Sequence, residues 1–244
     1  MRRGVILCVL LVGAGVAGYM GWRWLDRAQV ERVLVRGAVY ADTSAVTTLA
    51  GVVVGDPLAR VSTEVAADRV RRHPWIERAS VSAQPTGSVI ISVREREPVA
   101  LVMDGDGRPA YYLDRFGFRM PAVATAVYDV PVVRGLIDAY HPVTPVESRP
   151  VLELMALLPD LEARKDALLS EIHQTRSGDI ELRTAVSPAG QSIRVRLGQD
   201  RFEEKLDLLQ AYWMQAVLAH PEKRYEWLDL RFRNQVVAHE RSNT

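Results

Sequence analysis

The sequence predicts an α+β protein in three parts: one transmembrane helix, then a βααββ unit, then a mixed β domain with two helices. Three observations carry that prediction. Residues 4–22 are uncharged, a two-strand pattern of period two follows a pair of capped helical stretches, and beyond Pro98 short alternating strands recur with only two long helical runs. The 244 residues are 48% hydrophobic and 25% charged, which excludes a disordered chain and leaves enough apolar surface for cores without staples.

The uncharged run from Gly4 to Trp22 follows Arg2 and Arg3 and is closed by Arg23, Asp26 and Arg27. Nineteen residues at about 1.5 Å each cover roughly 28 Å, close to the hydrocarbon thickness of a bilayer. Tyr19, Trp22 and Trp24 stand where an interfacial aromatic belt belongs. A cleaved signal peptide is the competing reading, but the apolar run exceeds the usual signal core. With so short an amino-terminal tail, residues 1–3 are expected inside and the body exported. Gly13, Ala17 and Gly21 recur every fourth residue and are candidates for close contact with another membrane helix.

Three of the 31 basic residues and none of the 30 acidic ones fall in residues 1–24, so the exported body is close to neutral. That balance gives no footing for nucleic acid. The single cysteine, Cys8, lies in the apolar run, and a body without thiols suits an oxidising compartment.

In the first globular part, Val33, Leu34 and Val35 form a strand ending at Gly37. Asp42 or Thr43 caps a helix through about Ala50, with Gly51 and Gly55 beyond it. Ser62 caps a second helix, expected to stop at His73 because Pro74 cannot continue it. Ala79, Val81 and Ala83 alternate with Ser80, Ser82 and Gln84, and Val89, Ile91 and Val93 with Ser88, Ile90 and Ser92, on either side of Pro85-Thr86-Gly87, which is a hairpin. Three strands covered on one face by two helices follow from that order. Trp75 is expected in the core beneath the helices. Arg69, Arg71, Arg72 and Arg78 interleave with Asp68 and Glu77 and read as a solvated face.

In the second part, Ala100–Met103 and Ala110–Leu113 flank the turn Asp104-Gly105-Asp106-Gly107. That turn is not a calcium loop of the EF-hand type, because the twelfth position holds Arg115 instead of a bidentate Glu. A helix starts near Pro150 and is expected to end at Pro159. A strand meander spans Ser170 to Leu197, and Ile193, Val195 and Leu197 alternate with Arg194 and Arg196, so one face is buried. Asp200 and Glu203 resemble a capping box for a helix with Phe202, Leu206, Leu209, Trp213, Ala216 and Val217 on its core side. The last segment, Trp227 to Phe232, is expected to place Leu228, Leu230 and Phe232 on one strand face and Asp229 and Arg231 on the other. Val236 to His239 form a final short strand.

Several of these segments carry a family resemblance. They include Val35-Arg36-Gly37, His73 to Val81, Glu95-Arg96-Glu97-Pro98-Val99-Ala100, Leu113 to Phe118, Val130 to Gly135, and Trp227-Leu228-Asp229-Leu230-Arg231-Phe232. Together they resemble the FtsQ/DivIB family of bacterial cell division proteins, whose single anchor precedes a POTRA domain and a carboxy-terminal β domain. Gln84-Pro85-Thr86-Gly87 departs from that pattern, in which an aromatic residue precedes the proline. The domain bounds expected are 1–24 for the cytoplasmic tip and transmembrane helix, 25–30 for a linker, 31–97 for the POTRA-like domain, 98–240 for the β domain and 241–244 for a tail.

Read from its residues alone, the last segment is an edge strand, either a simple terminus kept soluble by Arg231, Arg233, Glu240 and Arg241 or an edge open to strand addition. The resemblance implies a partner-binding edge formed by Arg231, Phe232, Arg233, Asn234, Gln235, Val236 and Val237. It also implies capture of an FtsB/FtsL pair by β-strand addition, in an inner-membrane scaffold concentrated at the septum, with other divisome members reached through the POTRA domain. Catalysis is not expected. The five histidines are scattered, with no H-E-x-x-H pair, no G-x-S-x-G elbow and no phosphate loop, and neither cofactor nor metal is called for. The alternative is a POTRA-bearing assembly or chaperone factor for outer-membrane or secreted proteins, which would normally carry tandem POTRA units or a barrel.

Overall fold

The computed structural model describes residues 12–15, 28–122, 128–135, 140–163 and 169–241. They form two compact units, divided between Glu95 and Arg96. Most of the apolar run, including Ala17 and Gly21, lies outside the described residues; Gly13 falls within a short helical stretch. Among the described residues, no helix is long and apolar enough to cross a membrane.

The first unit follows the expected order. Strand β1 (Arg32–Arg36) is succeeded by α1 (Thr43–Ala50), a 3-10 turn at Leu58–Arg60, α2 (Thr63–Val70), β2 (Ile76–Ala83) and β3 (Ser88–Glu95). The sheet order is β1-β3-β2, with β1 parallel and β2 antiparallel to β3. The Asp42 carboxylate accepts the Ser44 N–H at 3.0 Å and caps α1, and Gly51 closes it at φ +67°. Helix α2 stops at Val70, earlier than His73. The Arg72 and His73 N–H groups donate to Arg69 and Val70 in a tight turn that ends the helix before Pro74 is reached. That turn delivers Trp75, 2% exposed, into a core with Val46, Ala66, Val70, Ile76, Val89 and Ile91. Arg71 pairs with Asp68, and Glu77 with Arg78 and Arg94 at 3.3 and 3.5 Å, so acids do punctuate the basic face.

Glu95, the first residue of the family-like signature, has a local task that its sequence position does not reveal. Its Oε1 accepts the backbone N–H groups of Val39, Tyr40 and Ala41 at 2.9, 3.0 and 2.7 Å. The loop from β1 to α1 is thereby tied to the end of β3, and Tyr40 is held 5.5 Å from the Trp75 ring.

The described strands of the second unit form one nine-stranded sheet. Its strands are β4 (Pro98–Met103), β5 (Pro109–Asp114), β6 (Arg119–Pro121), β7 (Val132–Gly135), β8 (Leu169–Gln174), β9 (Ile180–Thr184), β10 (Arg194–Gly198), β11 (Tyr225–Asp229) and β12 (Val237–Glu240). Their order across the sheet is β12-β11-β10-β9-β8-β7-β4-β5-β6. The apolar sides of α3 (Arg149–Ala163) and α4 (Phe202–Tyr212) join the inward residues of the strands in one core, including Val133, Leu154, Leu158, Ile172, Leu182, Val195, Phe202, Leu209 and Leu228. The buried Asp114 carboxylate accepts the N–H groups of Phe116 and Phe118 and meets the Arg96 guanidinium at 2.6 Å. That guanidinium lies 3.9 Å from the Phe118 ring, which gives the signature arginine an aromatic as well as an ionic partner. Asp104 closes its turn by accepting from the Asp106 and Arg108 N–H groups.

Two further local expectations are corrected in this unit. Helix α3 does not stop at Pro159 but runs through it to Ala163, with Leu158 buried and Leu161 packed on the core; apolar docking outweighs one missing backbone donor. Asp200 does not cap α4. Arg201 holds the cap position at φ +51°, while Asp200 accepts from Lys205 Nζ at 3.0 Å, and that buried amine also donates to the Leu197 carbonyl at 2.6 Å. A buried lysine needs an anionic partner, and Asp200 supplies it.

Candidate partner-binding edge

Strand β12 ends the sheet, so among the described residues only its side toward β11 is paired. The two strands run antiparallel, with Asp229 opposite Val237, Leu228 opposite Ala238 and Trp227 opposite His239. The extra residue of the bulge, Glu226, belongs to β11, so β12 keeps a regular alternation. Just past β12 the Arg241 N–H donates to the Arg224 carbonyl at 2.8 Å. Counting back from it by alternation directs the N–H groups of His239 and Val237 toward β11, and those of Glu240 and Ala238 toward the open side.

The two faces of the edge differ. Val236 and Ala238 pack against the core. On the outer face, Trp227 and His239 stack at 5.3 Å and 12°, the Arg196 guanidinium lies 5.3 Å from the Trp227 ring, and Glu226 approaches His239 at 3.2 Å. Lys223 and Glu240 pair at 2.8 Å near the end of the strand.

The expected site residues fall mainly before this strand. Strand β11 ends at Asp229; Arg231 to Val236 form the connection, and of the seven residues only Val237 lies in β12. The reason is local. Asp229, almost wholly buried, accepts the Arg231 backbone N–H at 3.0 Å and grips its guanidinium at Nε (2.9 Å) and Nη2 (2.6 Å). This side-chain turn bends the chain out of the ladder, and Asn234 continues it at φ +54°. The Arg231 hydrogen bond holds the Asp229 carboxyl below its ordinary pKa against the opposing effect of burial. The same contact pushes the Arg231 guanidinium up. The expected single face of Leu228, Leu230 and Phe232 is therefore split: the leucines are buried, whereas Phe232 is 52% exposed.

Thus the connection presents Phe232 and Arg233 to solvent, beside a strand whose outer hydrogen-bonding side is unpaired among the described residues. Among the described residues, no group of three or more His, Cys, Asp or Glu side chains is arranged to hold a metal ion. Ala238, His239 and Glu240 complete the edge, although the expected interval stopped at Val237. The alternating run Val236 to His239 contained the signal.

A βααββ module followed by a mixed sheet with an open terminal strand defines a POTRA-bearing protein with a carboxy-terminal β domain. Residues 28–96 match the FtsQ-type POTRA domain, and residues 97–239 match the FtsQ/DivIB C-terminal related family. The chain belongs to the FtsQ/DivIB family of cell division proteins. It is 41% identical to the cell division protein FtsQ of Rhodothermus marinus, over 98% of this chain and 88% of the relative. It is 39% identical to that of Salinibacter ruber, over 96% and 91%, and 27% identical to that of Geotalea daltonii, over 93% and 82%.

Proposed function

We propose that this chain is a single-pass inner-membrane scaffold of the bacterial divisome that works by contact at the septum. Residues 1–3 are cytoplasmic, residues 4–22 span the membrane, and the POTRA-like and β domains, bounded at 31–97 and 98–240, stand outside it. Gly13, Ala17 and Gly21 offer the membrane helix a small-residue stripe for a neighbouring helix. The partner is an FtsB/FtsL-like pair, one segment of which adds as a strand to β12.

The observation that carries this reading is the placement of β12 at the end of its sheet, where alternation leaves the Ala238 and Glu240 N–H groups to an incoming chain. Arg231, Phe232, Arg233, Asn234, Gln235 and Val236 form the approach, with Phe232 giving apolar contact and the arginines favouring an acidic segment. Val237 begins the strand. Membership of a cell division family favours this over an outer-membrane assembly role.

Capture of purified FtsB/FtsL by the full chain tests it. Ala238→Pro removes an outward donor and is expected to abolish capture, whereas Ala238→Ser keeps the donor and the binding. Val237→Pro serves as the contrast, since its N–H faces β11 and its loss lowers melting as well. Undiminished capture by folded Ala238→Pro and Phe232→Ala variants would place the interface elsewhere.

A further inference from the structure

The end of the POTRA unit nearest the chain's entry carries an apolar tip. Because β1 and β3 run parallel, with Arg32 beside Ser88, the Gln84–Gly87 turn lies next to the start of β1. The Gly87 carbonyl accepts the Glu31 N–H there at 2.8 Å. The loop of residues 51–56 is sewn to the same place. Val30 N–H donates to Asp56 at 2.9 Å, Gly55 N–H to Val30 at 2.8 Å, and Leu58 N–H to Ala28 at 2.8 Å.

In that loop Val52 is buried, but Val53 and Val54 are each 61% exposed. The pair is held outward by an ordered turn: the Val53 N–H donates to the Asp56 carboxylate at 3.2 Å, and the Asp56 N–H returns to the Val53 carbonyl at 3.2 Å. Exposed Arg60 follows and makes no ion pair among the described residues, which suits an anionic surface. Adjacent exposed β-branched residues on a fixed loop are not the scattered apolar residues that every surface carries.

Chain length selects the occupant. From Trp22, where the uncharged run ends, to Ala28 the fully extended chain reaches at most about 22 Å. This pole is therefore tethered near the headgroups, while β1 leads away from it. Resting on the proposed anchor, we infer that Val53 and Val54 seat in the headgroup boundary of the phospholipid bilayer, with Arg60 toward its anionic lipids. This second contact fixes the POTRA unit's orientation over the membrane.

The test uses the full chain carrying Cys8→Ser, with a single cysteine introduced by Val54→Cys or, beyond the far end of β1, by Val39→Cys. Each is labelled with an environment-sensitive fluorophore in vesicles of phosphatidylethanolamine and phosphatidylglycerol. Val39 is 75% exposed, so its label reports water. The label at 54 should be blue-shifted, quenched by spin-labelled lipid, and at least about threefold less accessible to iodide than the label at 39, as expected for residues seated in the interface. Adding Val53→Asp should return it to the accessibility seen at 39.

Equal iodide quenching at 54 and 39, in protein that stays with the vesicles through an alkaline wash, overturns the inference and leaves the anchor standing. Protein stripped by that wash overturns the anchor and the inference together.

Discussion

Replacing Asp229 by Asn isolates the charge that pins the turn between β11 and β12. The amide keeps the shape and retains an oxygen for the Arg231 backbone N–H, but loses the ionic grip on Nε and Nη2 at 2.9 and 2.6 Å. Hydrogen bonds to charged groups contribute about 1.5–3 kcal/mol, and the half-exposed Arg231 side chain moves this contact to the lower part of the range. A loss of about 1–2 kcal/mol at neutral pH is therefore expected, equivalent to roughly 3–6 °C in the melting of the β domain. The pH dependence has a definite sign. The folded-state pKa of Asp229 is lowered, so its contribution is complete above the ordinary carboxylate value and disappears as pH falls through the folded value. Melting of wild type and Asp229→Asn, followed from pH 8 downward, should show a constant gap to about pH 5 that narrows only below the ordinary carboxylate value and closes as pH falls through the lowered folded value. No gap at pH 7, or one that persists unchanged at the acid limit, would refute the role given to the charge.

Trp75 and Trp213, both buried, should behave alike in separate units: Trp75→Ala and Trp213→Ala are each expected to cost about 3–5 kcal/mol, and unchanged melting of either would contradict its core placement. Gly135 sits at φ +104° with the Gln174 carbonyl oxygen 2.1 Å from where a Cβ would stand. Gly135→Ala should accordingly destabilise the β7–β8 pair by about 2–4 kcal/mol in denaturant unfolding, and tolerance of the alanine would contradict that close approach. A reporter fused after Thr244 should be active only in its exported form. Activity of a cytoplasm-specific reporter would reverse the proposed orientation.

The first unit was legible because local chemistry and tertiary packing agree there. Asp42, Gly51 and the alternation around Gly87 act on near neighbours, and the fold uses them as their positions suggest. The failures came where side-chain partners and packing, which spacing and period do not record, decide the local geometry. Pro159 lies in a helix whose apolar side docks on the core, and Asp200 was claimed by the buried Lys205 amine before it could cap a helix. The edge was legible in kind but not in register. Leu228-Asp229-Leu230-Arg231-Phe232 alternates as a strand should, yet the Asp229 side chain captures the N–H two residues on and stops the ladder. Period alone cannot register such a bond. Nor does spacing reveal that Glu95 gathers three N–H groups of a loop more than fifty positions earlier.

Strand addition makes a residue-level demand on β12 that can be read by amide hydrogen exchange in the full chain, alone and with purified FtsB/FtsL. Protection of the Ala238 and Glu240 amides should rise by at least about tenfold on binding, equivalent to about 1.4 kcal/mol of added local stability, while the inward-facing Val237 and His239 amides change less. Complex formation that leaves Ala238 and Glu240 exchanging as in the free chain, with new protection in another segment, would contradict capture at this edge.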